Sequence, residues 1–308
     1  MPYYLGIDGG GSKTACAVGD DSRALARVAT GPSNIVRVGE QRARESLQQG
    51  VRQACAAAGI TPLQIAGTCV GGSGAGRTEL ANIVRAILRE LLTTPVVVVG
   101  DMEIALEAAF DAGPGVIVIA GTGSIAYGRN SEGITARAGG WGFAIGDEGS
   151  AHWIGRSAIS AVLRANDENS EAGSGNAKSS LADALCEVWQ VGSLLELARL
   201  ANANPPPDFA TLFPVVVSSS DDLAQRVLAH AGTELARIAS IVMRRLFGAG
   251  GGKVQVAMTG SVFRHGTRVR ETFYNEVRRL DGRAEMIPNV VDPVEGALRM
   301  ARRAAAGS

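Results

Sequence analysis

The stretch LGIDGGGSKT, residues 5–14, decides the fold of this chain. It joins an apolar strand to a carboxylate, three consecutive glycines, a hydroxyl and an ammonium group. Because glycine tolerates positive φ and a close approach of the backbone, a glycine turn after a strand can point several N–H groups at a phosphate. The stretch VIVIAGTGS, residues 116–124, repeats the scheme. Two loops of this kind in one chain predict a nucleotide-binding clamp.

Length and charge limit the possible functions. A chain of 308 residues with 46% hydrophobic residues exceeds the size at which one core usually keeps growing, so it predicts roughly two domains. The 30 Lys and Arg residues balance the 30 Asp and Glu residues, and no excess positive charge is present to attract nucleic acid or an anionic membrane. We therefore expect a small-molecule ligand, with neither nucleic acid nor membrane as a partner.

The cysteines and the amino terminus predict the compartment. Cys16, Cys55, Cys69 and Cys186 lie far apart without CxxC spacing, which argues against a zinc site and against a disulfide-stapled scaffold. The chain enters a strand directly, without the pattern of a signal peptide, and no apolar run approaches the roughly 20 residues that a membrane helix requires. We expect a cytoplasmic protein.

Hydrophobic periodicity predicts an internal duplication. The first half shows strands at 3–7, 14–18 and 24–29, a helix at 43–58, a strand at 65–70, a helix at 80–91, a strand at 96–99 and a helix from about Met102. This βββαβαβα order restarts at Gly115, with strands at 116–120, 125–129 and 134–137. The continuous run of four valines at 96–99 is typical of a strand buried on both faces.

Helices interrupt the second copy. They are predicted at 151–163, 180–188, 194–201 and 221–247, before a strand at 254–258, a helix at 267–280 and a strand at 284–287. The sequence DPVE at 292–295 combines an N-cap, a proline at the first helical position and a reciprocal glutamate, so a last helix starts there. The polar segments 166–179 and 202–208 are predicted as surface loops.

Two glycine-rich stretches resemble better-known loops only in part. Residues 6–11 have the glycine spacing of a P-loop, but Ser12 stands where the lysine of GxxxxGK[ST] belongs, so the pattern argues against a P-loop NTPase. The stretch GSGAG at 72–76 lacks the GxGxxG spacing of a dinucleotide loop. We interpret it as a ligand-facing loop, and an ordinary flexible turn explains it equally well.

Several motifs resemble those of one protein family. IDGGGSKT at 7–14, GTGS at 121–124 and TGSV at 259–262 resemble the phosphate-1, phosphate-2 and adenosine motifs of the actin, hexokinase and Hsp70 superfamily. More narrowly, GGWGFAIGDEGS at 139–150 resembles the signature of the N-acetylglucosamine kinases and the related BadF/BadG/BcrA/BcrD ATPase family. The resemblance covers essentially the whole chain.

This resemblance implies a fold and a set of ligands. The implied fold is the actin-like ATPase fold, an α/β architecture of two duplicated ribonuclease H-like βββαβαβα lobes with a nucleotide cleft between them. The implied domains are 1–114, joined by the C-terminal helix 292–308, and 115–291, which carries helical insertions. ATP, Mg²⁺ and an amino sugar are the implied ligands, and a homodimer is the implied assembly.

Phosphoryl transfer needs held phosphates, Mg²⁺, an aligned acceptor hydroxyl and a carboxylate that takes its proton. Asp8 follows the first strand and is the expected Mg²⁺ residue, acting through water because Mg²⁺ keeps much of its hydration shell. A simple turn aspartate is the alternative. The residues expected to meet the phosphates are Gly10, Gly11, Ser12 and Lys13 on one side and Gly121, Thr122 and Gly123 on the other.

Asp101 is the candidate catalytic base. It follows the four-valine strand at the start of a helix, where ligand-binding groups usually lie in α/β sheets. Position alone fits an N-cap aspartate equally well. The resemblance favours catalysis, because the family places its catalytic aspartate after this strand, and it implies that Asp101 also contacts the sugar.

The resemblance assigns further residues to the sugar. The candidates are Asn34, Gly72, Ser73, Gly140, Trp141, Gly142 and Asp147. A turn asparagine is the alternative for Asn34, and a core tryptophan is the alternative for Trp141. Glu148 fits either a supporting role at the sugar or an ordinary helix N-terminus.

The adenosine side is the least regular. Gly260 and Ser261 are expected there, but Thr211 stands where the resembled kinases tend to have a glycine. The implied activity is ATP-dependent phosphorylation of the 6-hydroxyl of N-acetylglucosamine, with glucosamine or N-acetylmuramic acid as alternative substrates. An ATPase activator of a radical dehydratase or reductase is the alternative of another class, and a sugar-sensing regulator is a third. The scattered cysteines disfavour the iron–sulfur cluster that an activator needs.

Overall fold

The computed structural model describes residues 1–72, 74, 77–171, 179–248, 250 and 252–306. The chain divides into two compact units. The first unit comprises Met1–Ile117 and Val291–Ser308, and the second comprises Val118–Val290.

Within the described ranges, ten strands form two five-stranded sheets. In chain order they are β1 (Tyr3–Gly9), β2 (Thr14–Gly19), β3 (Ala24–Thr30), β4 (Ile65–Gly72), β5 (Val96–Gly100), β6 (Gly115–Ala120), β7 (Ser124–Arg129), β8 (Thr135–Gly139), β9 (Val254–Thr259) and β10 (Ala284–Val291).

Eleven α-helices are present in the part of the chain that the structure describes. They are α1 (Ile35–Ala57), α2 (Thr78–Arg89), α3 (Asp101–Phe110), α4 (Ala151–Glu171), α5 (Ser180–Val188), α6 (Leu194–Ala201), α7 (Phe213–Ser218), α8 (Asp222–Phe247), α9 (Ser261–His265), α10 (Thr267–Leu280) and α11 (Pro293–Ala306). Single 3-10 turns occur at Pro62–Gln64 and Phe209–Leu212.

The two sheets have the same topology, which confirms the predicted duplication and the α/β class. The first has the strand order β3-β2-β1-β4-β5, and the second has β8-β7-β6-β9-β10. In each, an antiparallel meander occupies one side and the first strand of that meander lies at the centre. In the first sheet β1 pairs in parallel with β4, and β4 pairs in parallel with β5.

Both faces of the first sheet are covered by apolar side chains. Leu5, Ile7, Leu47 and Ile87 belong to the cluster that packs α1 and α2 against one face. Ile104 of α3 and Leu298 of α11 belong to the cluster on the other face. Helix α11 therefore packs on the same sheet that begins with β1.

Some predicted elements differ from the structure. The four-valine strand was expected to be buried on both faces, but β5 lies at the edge of its sheet, and Val97–Val99 are only partly buried. The polar segment 166–179 was expected to be a loop, but α4 continues to Glu171, and residues 172–178 lie outside the described part. The short helix α7 was not predicted, and β10 continues to Val291 rather than ending at residue 287.

Candidate functional site

The carboxyl ends of three parallel strands bring the sequence-predicted residues of the first unit together. Gly9 of β1 pairs with Gly72 of β4, and Gly72 pairs with Gly100 of β5. We call this row the carboxyl edge. Asp8 precedes Gly9 and Asp101 follows Gly100, so both carboxylates lie along this edge. Ser73, the other predicted residue of the β4 loop, lies outside the described residues.

The first glycine turn is tied to the segment that carries Asn34. The backbone N–H of Gly10 donates to the Lys13 carbonyl (3.0 Å), which closes the turn between β1 and β2. The Gly10 carbonyl accepts from the backbone N–H groups of Ser33 (3.2 Å) and Asn34 (3.3 Å). The hydroxyl of Thr14 lies 2.7 Å from Ser33 Oγ, which adds a side-chain contact to the same junction. A residue predicted for phosphate and one predicted for sugar are thus neighbours.

Asn34 has a structural role at this junction. Its Oδ1 accepts from the backbone N–H of Val36 (3.1 Å), and Asn34 is the N-cap of α1. A capping side chain of this kind satisfies one of the N–H groups that a helix leaves unpaired at its start. The amide nitrogen of the same side chain retains the chemistry to donate to a hydroxyl oxygen.

Asp8 carries an unusual pKa. Burial, the negative charge of Asp101 and that of Asp292 raise the pKa of Asp8 to about 7, although the positive charge of Lys13 opposes them. Removal of a carboxylate from water and the nearby like charges both disfavour its ionised form. A divalent cation would compensate this excess of negative charge.

The carboxylate chemistry fits Mg²⁺, which prefers oxygen ligands and keeps several of its waters. Among the described residues, no group of three or more His, Cys, Asp or Glu side chains is placed to hold a metal ion directly. Asp8 fits a role in which it holds the ion through the ion's own waters.

Asp101 opens α3 at its first helical position. Gly100 is the N-cap, so the interpretation of Asp101 as the N-cap is wrong by one residue. The Gly100 N–H donates to Glu103 Oε1 (3.0 Å), and the Met102 N–H donates to Asp101 Oδ1 (2.9 Å). Burial is the main cause that raises the pKa of Asp101, and the charge of Glu103 adds to it. A carboxylate with a raised pKa is a stronger proton acceptor.

In the second unit, Asp147 joins two of the predicted loops. Its Oδ1 accepts from the Gly142 N–H (3.2 Å), and its carboxylate also accepts from the backbone N–H of Ser124. A Cβ on Gly123 would lie 2.6 Å from Asp147 Oδ2, so a side chain at position 123 would displace this carboxylate. Asp147 is 8% exposed and has a positive φ of 59°, a conformation that aspartate tolerates better than most residues. Burial raises its pKa.

Further hydrogen bonds hold the same two loops. The Ser124 hydroxyl donates to the Glu148 carbonyl (2.7 Å), and the Gly140 N–H donates to the Ser124 carbonyl (2.9 Å). The Gly121 carbonyl accepts from the N–H of Ala151 at the start of α4 (2.8 Å). The predicted phosphate loop and the predicted sugar loop of this unit therefore form one connected structure.

Trp141 lies at the surface of this structure. Its side chain is 68% exposed, so the alternative interpretation of a core tryptophan is wrong. The guanidinium of Arg137 lies 5.0 Å from the centre of its ring, within the range of a cation–π contact.

The predicted adenosine motif reaches the phosphate loop of the same unit. Gly260 has a φ of 106°, and a Cβ there would lie 2.2 Å from the Ala120 carbonyl oxygen. Ser261 follows it as the first residue of α9. Thr211, which stands where a glycine was expected, lies in the 3-10 turn and its Oγ1 accepts from Trp189 Nε1 (3.1 Å). Thr211 thus supports local packing.

Sequence reasoning missed Asp292. It was predicted only as the cap of the last helix, yet its charge acts on Asp8 and its Oδ2 lies 3.4 Å from Arg27 Nη1. No local pattern connects Asp292 with Asp8, because their proximity depends on how α11 packs against β1.

No helix within the described ranges is both long and apolar enough to cross a bilayer.

Comparisons with known proteins show what the whole chain is similar to. A profile of the BadF/BadG/BcrA/BcrD ATPase family matches residues 5–301. An N-acetylmuramic acid/N-acetylglucosamine kinase of Clostridium acetobutylicum is 37% identical over 242 residues, covering 76% of this chain and 77% of that protein. An N-acetyl-D-glucosamine kinase of Dictyostelium discoideum is 28% identical over 315 aligned positions, covering 97% of each. The crystal structure of a Chromobacterium violaceum protein, described as a candidate N-acetylglucosamine kinase, aligns with a TM-score of 0.76 at 26% identity and covers 98% of this chain and 99% of that one.

Proposed function

Because this chain belongs to the BadF/BadG/BcrA/BcrD ATPase family, we propose that it is an ATP-dependent amino-sugar kinase that phosphorylates the 6-hydroxyl of N-acetylglucosamine. The observation that carries the proposal is the pair of carboxylates, Asp8 and Asp101, at one edge of the first sheet. Asp8 is suited to hold a hydrated cation, and Asp101 is suited to accept a proton. Both roles are needed when a hydroxyl attacks a phosphoryl group.

Asp101 is the proposed base. It takes the proton from the sugar's 6-hydroxyl as the oxygen attacks the γ-phosphorus of ATP, the bond to the β,γ-bridging oxygen breaks, and ADP leaves. Its position at the first turn of α3 and its hydrogen bond from Met102 fix the carboxylate, and its raised pKa makes it a better acceptor.

The phosphate assignments rest on the two glycine turns. Gly10, Gly11, Ser12 and Lys13 are assigned to the phosphates in the first unit, and Gly121, Thr122 and Gly123 in the second. Asp8 would hold Mg²⁺, which neutralises phosphate charge when it is bound. Gly260 and Ser261 are assigned to the adenosine, supported by the contact of Gly260 with the backbone of Ala120.

An apolar hollow supports an N-acyl sugar over free glucosamine. It has a volume of about 20 Å³ and is lined by Gly9, Ser33, Gly72, Leu80 and Val84, among others. A space of this size exceeds the roughly 10–15 Å³ that one water needs, and its apolar lining suits a methyl group better than water. Because Ser33 adjoins Asn34 and Gly72 is itself a sugar candidate, we assign the hollow to the acetyl methyl group.

Leu80→Phe tests this assignment by filling the hollow. The variant should lower kcat/KM for N-acetylglucosamine by about tenfold and leave that for glucosamine nearly unchanged, since about 1–3 kcal/mol is the usual value of a methyl-sized contact. Ile83→Phe, on the same helix but outside the lining, is the matched control. Equal effects on both sugars would contradict the assignment.

N-acetylmuramic acid is the second candidate substrate, since the relative from Clostridium acetobutylicum acts on both sugars by its name. The deciding experiment is a panel of N-acetylglucosamine, N-acetylmuramic acid, glucosamine and glucose with MgATP. ADP release gives the rate for each sugar, and NMR of the product identifies the phosphorylated oxygen. If no sugar accelerates ADP release, the proposed function is wrong.

The cysteines favour a kinase over an activator that holds an iron–sulfur cluster. Burial raises the pKa of Cys16 and Cys69 to about 12 and that of Cys55 to about 11. Cluster ligation requires accessible thiolates, and these three thiols lie inside the first unit. A brown chromophore in anaerobically purified protein would reverse this preference.

A further inference from the structure

The last helix begins beside Asp8. A Cβ on Gly6 would lie 2.5 Å from the backbone nitrogen of Leu298, and one on Gly67 would lie 2.8 Å from the Ala301 carbonyl oxygen. Gly67 is level with Tyr4 in the paired strand. Helix α11 therefore runs antiparallel to β1, and it starts at the end of β1 that carries Asp8.

The side chain of Asp8 leaves the sheet on the face that α11 covers. Side chains alternate along a strand, so Gly6 and Asp8 point to the same side. The Cβ direction of Gly6 meets α11, since it points to within 2.9 Å of the Val294 carbonyl oxygen. Asp292, two residues before Val294, therefore lies near Asp8, and its negative charge acts on the Asp8 carboxyl group.

Arg27 holds the start of α11 mainly through Glu295 and leaves Asp292 able to accept other hydrogen bonds. One guanidinium nitrogen of Arg27 contacts Glu295 closely, while the other lies 3.4 Å from Asp292 Oδ2. The Asp292 side chain is 39% exposed. Glu295 is thus the main partner of Arg27, and the Asp292 carboxylate can accept further hydrogen bonds at the carboxyl edge.

We propose that Asp292 is a positioning residue for the hydrated Mg²⁺ that accompanies the nucleotide, an inference that rests on the proposed kinase function. Its carboxylate accepts hydrogen bonds from the water shell of the ion, and Asp8 does the same from β1. Groups that bind a metal through its waters often change its affinity by about 10- to 100-fold when they are removed.

The test measures the dissociation constant of ADP in EDTA and in saturating Mg²⁺. The value in EDTA divided by the value in Mg²⁺ is the ratio that reports how much the ion strengthens binding. Asp292→Asn removes the charge and keeps a good N-cap, and Asp292→Ser does the same with a smaller side chain. Each should reduce the ratio by about tenfold. In EDTA, ADP affinity should be unchanged or higher, because a like charge near the phosphates is gone. Glu295→Gln, which alters the other partner of Arg27, should leave the ratio within about twofold.

Two results separate the hypotheses. In the first, the wild-type protein binds ADP more tightly with Mg²⁺, and a folded Asp292 variant keeps the wild-type ratio. That result would contradict the proposed role of Asp292 and leave the kinase proposal standing. If Mg²⁺ does not strengthen ADP binding to the wild-type protein and no sugar is phosphorylated, the proposed function itself is wrong. A merely structural role for Asp292 would lower both affinities together.

Discussion

Asp8 and Asp101 lie at the carboxyl ends of β1 and β5 in the same sheet, and burial together with the charge of Asp101 raises the pKa of Asp8 to about 7. The two carboxyl groups are therefore not independent. Binding of a divalent cation at Asp8 would remove much of the repulsion and favour the ionised form of both groups. In the proposed kinase, the bound metal would thus help to keep Asp101 ready to accept a proton.

Asp101→Asn should reduce kcat by about 10²–10⁴-fold, because the amide cannot accept the proton of the sugar's hydroxyl. Sugar affinity, measured by calorimetry, should change little, since the amide retains its size and most of its hydrogen bonds. Asp111→Asn, at the C-cap of the same helix, is the control and should keep near wild-type turnover. An Asp101→Asn enzyme that keeps most of its rate would remove Asp101 from the role of base.

Glu103→Gln should move the acid limb of the pH–rate profile to lower pH. The charge of Glu103 contributes to raising the pKa of Asp101, and the base must be ionised to act, so removing this charge lets Asp101 ionise at lower pH. Glutamine keeps an oxygen that can accept from the Gly100 N–H, so the start of α3 should be preserved. An acid limb that stays in place, or moves to higher pH, would contradict the assignment of that limb to Asp101.

The pKa of Asp8 predicts how stability depends on pH in the absence of metal. Its folded-state pKa of about 7 exceeds the ordinary 3.8, so the folded state binds the proton more tightly than the unfolded state. The protonated Asp8 carboxyl therefore contributes its full share of the free energy of unfolding below about pH 4. This contribution, at most roughly 4 kcal/mol, is lost as the pH rises to about 7.

Denaturation of the wild-type protein and of Asp8→Asn in EDTA at a series of pH values checks this prediction. The variant lacks the titrating group, so the difference in the free energy of unfolding between the two proteins should grow in favour of Asp8→Asn as the pH rises from about 4 to 7. If the free energies of unfolding of the two proteins change with pH in parallel over that range, the pKa of Asp8 is not raised as described.

The sequence predicted the parts of the site that depend on local order along the chain. A carboxylate beside glycine at the end of an apolar strand identified Asp8 and Asp101, and the matching carboxyl ends of parallel strands bring them to one edge. The contacts that depend on tertiary packing could not be predicted from the sequence. The four valines of β5 look alike whether the strand is central or at an edge, and the approach of Asp292 to Asp8 depends on the direction of α11. The exposure of Trp141 depends on the conformation of its loop, in which Asp147 accepts from the neighbouring Gly142 N–H.

Asp147 should serve both sugar binding and loop structure. Asp147→Ala removes the acceptor for the N–H groups of Gly142 and Ser124, so it should raise the dissociation constant for the sugar strongly and lower the melting temperature. Asp147→Asn keeps one acceptor oxygen and tolerates the positive φ, so it should lose sugar affinity with a smaller loss of stability. Calorimetry and thermal denaturation measure the two effects. Unchanged sugar affinity in both variants would leave Asp147 as a structural residue only.

Gly260→Ala should disrupt the predicted adenosine site. A Cβ there would lie 2.2 Å from the Ala120 carbonyl oxygen, and the φ of 106° is strained for alanine. We expect a loss of about 2–4 kcal/mol in the free energy of unfolding and weaker binding of a non-hydrolysable ATP analogue. Gly282→Ala is the matched control, because a Cβ at Gly282 meets nothing within 4 Å. If Gly260→Ala loses stability but binds the analogue as tightly as the wild-type protein, the glycine has a structural role and Gly260 must be removed from the nucleotide site.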